Sequence, residues 1–235
     1  MTVEELKKVV YEANLRLVEL GLVMFTWGNV SAIDRERGIV VIKPSGVAYD
    51  KMTARDMVVM SADGTAEPGA LRPSSDAPTH IELYRAFPEA GAVVHTHSTC
   101  AVAWAQARRG IPCLGTTHAD TFYGEIPCAR ALTAGEVGGE YEKNTGLVIE
   151  ETFKNRDKPI DPAAVPGVLV AGHGPFAWGP DAEHAVYNAA VLEECARMAI
   201  LTLAVDPDAA PAERYLTDKH YLRKHGKNAY YGQGR

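Results

Sequence analysis

No two of the four cysteines stand close enough to make a Cys-x-x-Cys pair: Cys100, Cys113, Cys128 and Cys195 are scattered. That argues against both a disulfide scaffold and a zinc knuckle. The chain also lacks an apolar run of membrane-spanning length, and its charged start, Met1 to Lys8, lacks the apolar core of a signal peptide. Surplus positive charge is missing too. A net charge of −6 argues against broad nucleic-acid binding, which relies on a basic surface, yet leaves room for a small anionic substrate needing only a few local donors. Linker-like stretches and repeats of fixed period are absent. With 46% hydrophobic residues among 235, the expectation is one domain over residues 1–235, built on one sizeable core, in a cytoplasmic enzyme.

What is present begins with Leu6, Val10, Ala13, Leu17 and Leu20 at helical spacing, with Thr2 and Glu5 as a capping box, so residues 3–20 read as an amphipathic helix ending at Gly21. Val30 to Ile33 and Ile39 to Ile42 flank a turn, and Met57 to Met60 makes a third strand. Consecutive strands without intervening helices point to an antiparallel portion of sheet. Pro78 to Phe87 reads as a helix with Ser75 or Asp76 as its cap. A helix over Thr99 to Ala107, one long helix from Thr133 to about Phe153, strands at Gly167 to Ala171 and Phe176 to Trp178, and a helix from Asp181 to about Ala204 follow. The segment from Asp218 to Gln233 is rich in His, Lys and Tyr, unlike an idle tail, and is expected to dock.

The apolar run Ala92-Val93-Val94 leads straight into His95-Thr96-His97. In a strand successive side chains alternate, so His95 and His97 project one way and Thr96 the other. Two imidazoles on one face are half of a site for zinc, copper, iron or nickel, which needs at least one further ligand and an open position. Asp76 upstream and His173 downstream, the latter freed by glycine on both sides, are the candidate partners. Gly28-Asn29, Ser45-Gly46 and Ser74-Ser75 are short polar turns with donors fit for phosphate oxygens, and Lys43 adds a positive charge. Asp120, His220 and Tyr231 are candidates for proton transfer.

These motifs together resemble the class II aldolase/L-ribulose-5-phosphate 4-epimerase family. The likeness runs through Thr26-Trp27-Gly28-Asn29-Val30-Ser31, Lys43-Pro44-Ser45-Gly46-Val47, Pro73-Ser74-Ser75-Asp76, His95-Thr96-His97-Ser98, Gly115-Thr116-Thr117-His118-Ala119-Asp120, His173-Gly174-Pro175-Phe176-Ala177-Trp178-Gly179 and Lys219-His220-Tyr221-Leu222-Arg223-Lys224-His225-Gly226. It implies an α/β fold, a single domain whose central, largely antiparallel mixed β-sheet is flanked by helices. It further implies one zinc per subunit, or another divalent metal such as manganese, on Asp76, His95, His97 and His173. The substrate phosphate would be bound by Gly28, Asn29, Ser45, Gly46, Ser74 and Ser75, with Lys43 in the substrate loop and Glu142 near the site. Similar enzymes are cyclic homotetramers, in which Thr116, Asp120, His220 and Tyr231 would reach a neighbour's site, Asp120 and Tyr231 as the acid/base pair.

The implied activity is pentose catabolism of the arabinose type, interconverting L-ribulose 5-phosphate and D-xylulose 5-phosphate. C4 of a 2-ketopentose phosphate is not adjacent to the carbonyl, so enolisation cannot invert it, whereas breaking the C3–C4 bond can. Retro-aldol cleavage leaves the enediolate of dihydroxyacetone and free glycolaldehyde phosphate. Rotation of that aldehyde and re-addition on its other face gives the epimer. Related fuculose-phosphate-type aldolases carry glutamate in place of Asp76, which favours epimerase over the alternatives of an aldolase or dehydratase. A non-catalytic interaction domain on the same fold is a third alternative, against which the intact metal set argues.

Overall fold

The computed structural model describes residues 1–155 and 157–231; Gly232 and Gln233, the last two residues of the expected docking segment, lie outside them. Its strands are β1 (Asn29–Asp34), β2 (Ile39–Ile42), β3 (Val58–Ser61), β4 (Ala92–His95), β5 (Cys128–Ala129), β6 (Gly167–Val170) and β7 (Pro175–Gly179). They form one sheet in the order β3-β2-β1-β4-β7-β6-β5. Every neighbouring pair is antiparallel except β5 with β6. The expected largely antiparallel mixed sheet is therefore what the chain forms.

Helices cover both faces, which is why β4 is apolar at every position before its histidine: Ala92 and Val94 pack toward α1 (Val3–Glu19) and the start of α7 (Ala182–Val205), while Val93 packs on the other side. Burying such a valine contributes roughly 1.5–3 kcal/mol. The capping box of Thr2 and Glu5 is present, and α1 buries Leu6, Val10, Ala13 and Leu17. Buried Asn14 locks this helix to β1: its side-chain amide donates to the Val30 carbonyl at 3.2 Å and its oxygen accepts from the Val30 N–H at 2.9 Å.

On the opposite face α2 (Ala77–Ala86) packs closely against α6 (Tyr141–Lys154). Their closeness depends on Gly146, where a Cβ would stand 2.6 Å from Glu82 Cβ and 3.2 Å from the Thr79 carbonyl. Thr79 Oγ1 donates to the Glu142 carbonyl at 2.5 Å, fastening the first turn of α6 in place.

The structure departs from the sequence expectations in a few elements. The long helix expected from Thr133 is two, α5 (Ala134–Gly138) and α6, broken at Gly139 and Glu140. Adjacent glycines surrender more backbone entropy in a helix than the remaining contacts of this exposed stretch return. β4 ends at His95, so His97 belongs to the loop leading to α3 (Thr99–Gln106). A short helix not read from the sequence, α4 (Thr116–Ala119), precedes Asp120. The first part of the aromatic and basic tail is helical, the end of α8 (Arg214–His225), and it docks as expected, packing on α4 with Tyr221 stacked on Tyr123 at 4.5 Å.

Candidate metal centre

At one end of the sheet's interior strands the ends of β2 and β4, the start of β1, the first turns of α2 and α6, and the β6–β7 turn meet. β4 lies between β1 and β7, with Asn29 and Phe176 as the cross-strand neighbours of His95. The His95 ring stacks on Phe176 with centroids 4.2 Å apart. Its Nδ1 lies 2.9 Å from the Pro175 carbonyl oxygen. A carbonyl only accepts, so Nδ1 carries the hydrogen and Nε2 keeps its lone pair. That lone pair faces His97 Nε2 at 3.1 Å.

His173 arrives on a tight turn in which Gly172 has φ 73° and the His173 N–H donates to the Val170 carbonyl at 2.9 Å. A Cβ on Gly174 would stand 2.9 Å from the Thr96 carbonyl, so only glycine lets this turn close against the end of β4. One nitrogen from each of His95, His97 and His173 falls within 4.8 Å of the others. Burial pushes the His173 pKa down to about 4, aided by the His95 ring facing it, and burial likewise lowers that of His97. Neutral imidazoles at pH 7 are the ligand form, and three converging lone-pair donors fit a divalent ion.

Asp76 sits at the cap position of α2 without capping it. Its carboxylate instead accepts from Asn29 Nδ2 at 2.7 Å, and Asn29 Nδ2 also donates to Ser74 Oγ at 3.0 Å. Burial raises the Asp76 pKa, but the fields of His95 and His80 and the Asn29 hydrogen bond outweigh it, leaving a net lowering. The carboxylate is ionised beside the histidines, although it is not one of the group of three. Among the described residues Asn29 Oδ1 is buried without a protein partner, an acceptor left for a donor on a bound group.

A cavity of about 430 Å³ brings together eleven residues singled out in the sequence: Gly28, Asn29, Lys43, Ser45, Gly46, Ser74, Ser75, Asp76, His95, His97 and His173. Its two serine turns are tied to each other, the Ser74 N–H donating to the Lys43 carbonyl at 3.0 Å and the Ser45 N–H to the Arg72 carbonyl at 2.9 Å. Lys43 is 2% exposed and its ammonium donates to the Val47 carbonyl at 3.0 Å. No carboxylate among the described residues pairs with it, so a cation lies uncompensated beside the serine turns. Burial lowers its pKa.

Tyr141 and Glu142 also line the cavity. Tyr141, which the sequence reading missed, has its hydroxyl 3.4 Å from His173 Nδ1. Its placement follows from the helix break, and the Gly138-Gly139 pair was the signal that could have found it.

Thr116, Asp120, His220 and Tyr231 are not in this cavity. Thr116 and Asp120 lie on and just after α4, the Asp120 N–H donating to the Thr116 carbonyl at 2.9 Å. Asp120 accepts from Arg223 at 3.1 and 2.8 Å and faces His220 Nδ1 at 3.1 Å. Burial raises its pKa, while the Arg223 and His220 hydrogen bonds and the Lys224 charge lower it, and the lowering prevails. Tyr231, 58% exposed, lies over the Arg223 guanidinium at 4.6 Å. One chain therefore carries two separate clusters.

The profile of the Class II Aldolase and Adducin N-terminal domain matches residues 8–200. The chain belongs to the class II aldolase and adducin N-terminal domain family. Within and around that family it is 59% identical, over 98% of this chain and 99% of the relative, to a protein named L-ribulose-5-phosphate 4-epimerase UlaF from Salmonella paratyphi A (strain ATCC 9150 / SARB42). A Salmonella choleraesuis (strain SC-B67) protein of the same name is 58% identical over the same shares. Among solved structures, an L-fuculose 1-phosphate aldolase superposes with a TM-score of 0.78 at 24% identity, covering 94% of this chain and 96% of the other. The fold is that of class II aldolases.

Proposed function

We propose that the chain is an L-ribulose-5-phosphate 4-epimerase, interconverting L-ribulose 5-phosphate and D-xylulose 5-phosphate by retro-aldol cleavage and re-addition. The observation that carries this reading is one cavity that joins three converging imidazoles to hydroxyl-bearing turns and a buried ammonium with no carboxylate partner among the described residues. The close relatives bearing that name support it.

In this proposal His95, His97 and His173 hold a divalent ion, zinc by the family resemblance, with Asp76 as the carboxylate partner turned toward them by Asn29. When bound, such an ion supplies Lewis acidity toward the carbonyl end of the substrate. Ser45, Gly46, Ser74, Ser75, Gly28 and Asn29 take the phosphate, and the Lys43 ammonium balances its charge. Asp120 and Tyr231 hold and move the proton of the C4 hydroxyl, with Thr116 and His220 beside them. They lie in a cluster apart from the histidine cavity, which supports a working site completed by a neighbouring copy, and the family resemblance makes that assembly a homotetramer in this proposal. Residues 1–235 act as one catalytic domain, in the cytoplasm, where sugar phosphates are kept, in pentose catabolism.

The decisive assay loads the protein with zinc or manganese and follows L-ribulose 5-phosphate to D-xylulose 5-phosphate together with free glycolaldehyde phosphate. Epimer without accumulating aldehyde is expected. Stoichiometric release of the aldehyde would make the chain an aldolase instead, and no turnover in fully loaded protein would remove the enzymatic reading altogether.

A further inference from the structure

The second cluster is tied together by one residue to which neither the sequence motifs nor the relatives' names assign a role. The Arg223 guanidinium donates through Nε to Asp120 Oδ1 at 3.1 Å and through Nη2 to Asp120 Oδ2 at 2.8 Å, a fork that sets the plane of the carboxylate. The same guanidinium lies 4.6 Å from the Tyr231 ring centroid. Its backbone carbonyl accepts both the Tyr230 N–H, at 2.9 Å, and the Tyr231 N–H, at 3.1 Å. After α8 the chain reverses, with the Ala229 N–H on the Gly226 carbonyl at 3.0 Å, and so returns Tyr231 to the residue that already grips Asp120.

We propose that Arg223 is the positioning residue that holds Asp120 and Tyr231 in one fixed arrangement, an assignment resting on the reading above in which these two groups move protons in a neighbour's site. The other contacts in the cluster cannot do this. His220 touches the carboxylate alone. Lys224 lies 3.7 Å from Asp120 Oδ2 and 4.7 Å from the Tyr231 ring, yet an ammonium is a point charge on a flexible stem and fixes no plane. Tyr231 is 58% exposed, and no hydrogen bond reaches its phenol among the described residues. Left without Arg223, its ring would regain its rotamer freedom.

Fixed geometry is what proton transfer needs, and a misplacement of about 1 Å costs on the order of 100-fold in rate. Arg223→Ala in the full-length, metal-loaded protein is therefore expected to lower kcat for L-ribulose 5-phosphate roughly 10- to 100-fold while KM, metal content and assembly stay unchanged. Ethylguanidinium added to that variant should restore part of kcat, whereas an ammonium salt at equal ionic strength should not. A structural side chain remote from the chemistry would show neither the split nor the rescue. In a Tyr231→Phe background, Arg223→Ala should cost little more, since the two act as a unit.

Unchanged kcat in Arg223→Ala, with Asp120→Asn and Tyr231→Phe both inactive, would overturn the proposal and leave the underlying reading standing. Full activity in Asp120→Asn and Tyr231→Phe would instead remove the reading on which it rests. Should Arg223→Ala misassemble, Arg223→Lys carries the test, because it keeps the charge and loses the fork; undiminished kcat there would overturn the proposal equally.

Discussion

Replacing Lys43 by methionine should separate a cost in folding from a gain in binding. The residue is 2% exposed, and its ammonium donates to the Val47 and Pro44 carbonyls at 3.0 and 3.3 Å and lies 4.9 Å from the Tyr49 ring. No ion pair among the described residues compensates it. Methionine fills nearly the same volume, so the variant forfeits two hydrogen bonds but no longer desolvates a charge. These effects oppose one another, and the melting temperature should stay within about 4 °C of the parent, the shift that ~1 kcal/mol produces in a chain of this size.

Binding has no such compensation. One charge-assisted hydrogen bond to a phosphate oxygen is worth about 1.5–3 kcal/mol, which weakens affinity for the phosphorylated ketopentose roughly 10- to 150-fold. Calorimetric titration with substrate and with inorganic phosphate, beside a thermal melt, reads both quantities. There is also a pH signature. Burial lowers the lysine's pKa, so the unfolded chain binds the proton more tightly, and the residue's stability contribution improves as pH rises toward the unfolded value of about 10.4. Lys43→Met should lack that rise. Undiminished phosphate affinity, or a melt lowered by more than ~10 °C with the ligand affinity intact, would refute the reasoning and make Lys43 a structural residue.

Further outcomes are expected on the same grounds. His97→Asn should lose metal affinity and turnover together, because one of three imidazoles is removed; full occupancy by metal analysis with normal turnover would contradict the assignment. Ser75→Ala should raise KM for the phosphorylated sugar far more than it alters metal content, and an equal penalty on the unphosphorylated sugar would remove the phosphate cradle. Co-refolding inactive His97→Asn with inactive Tyr231→Phe should return part of the activity in hybrids verified by mass spectrometry; hybrids no better than either parent would mean that each subunit completes its own site. Burial holds His80 at about 3 and His118 at about 4, so both stay neutral in the folded protein while the unfolded chain protonates below about 6.5. Stability is therefore lost as pH falls, by about 2 kcal/mol per ring between pH 6.5 and 5, and an unchanged urea midpoint across that range would count against it.

Residues 29–97 show how much of this site was written in local pattern. An apolar run must end where its polar residues find another environment, so His95 could be placed at a strand end from spacing alone, although His97 falls in the loop beyond it. Polar turns with glycine and serine announce themselves through their backbone requirements, and so the turns at Asn29, Ser45 and Ser74 that line the cavity were legible as well. The capping box of α1 and the alternation of antiparallel strands are likewise properties of neighbours in sequence. Other features depend on contacts between distant segments, which no local pattern encodes. That Asp76 gives up capping for Asn29, that the break after Gly138 turns Tyr141 toward His173, and that Arg223 joins Asp120 to Tyr231 were decided by how helices pack on the sheet. The division into two clusters is of the same kind: sequence pattern can nominate Asp120 and Tyr231, but only the folded chain shows that its own histidines are elsewhere.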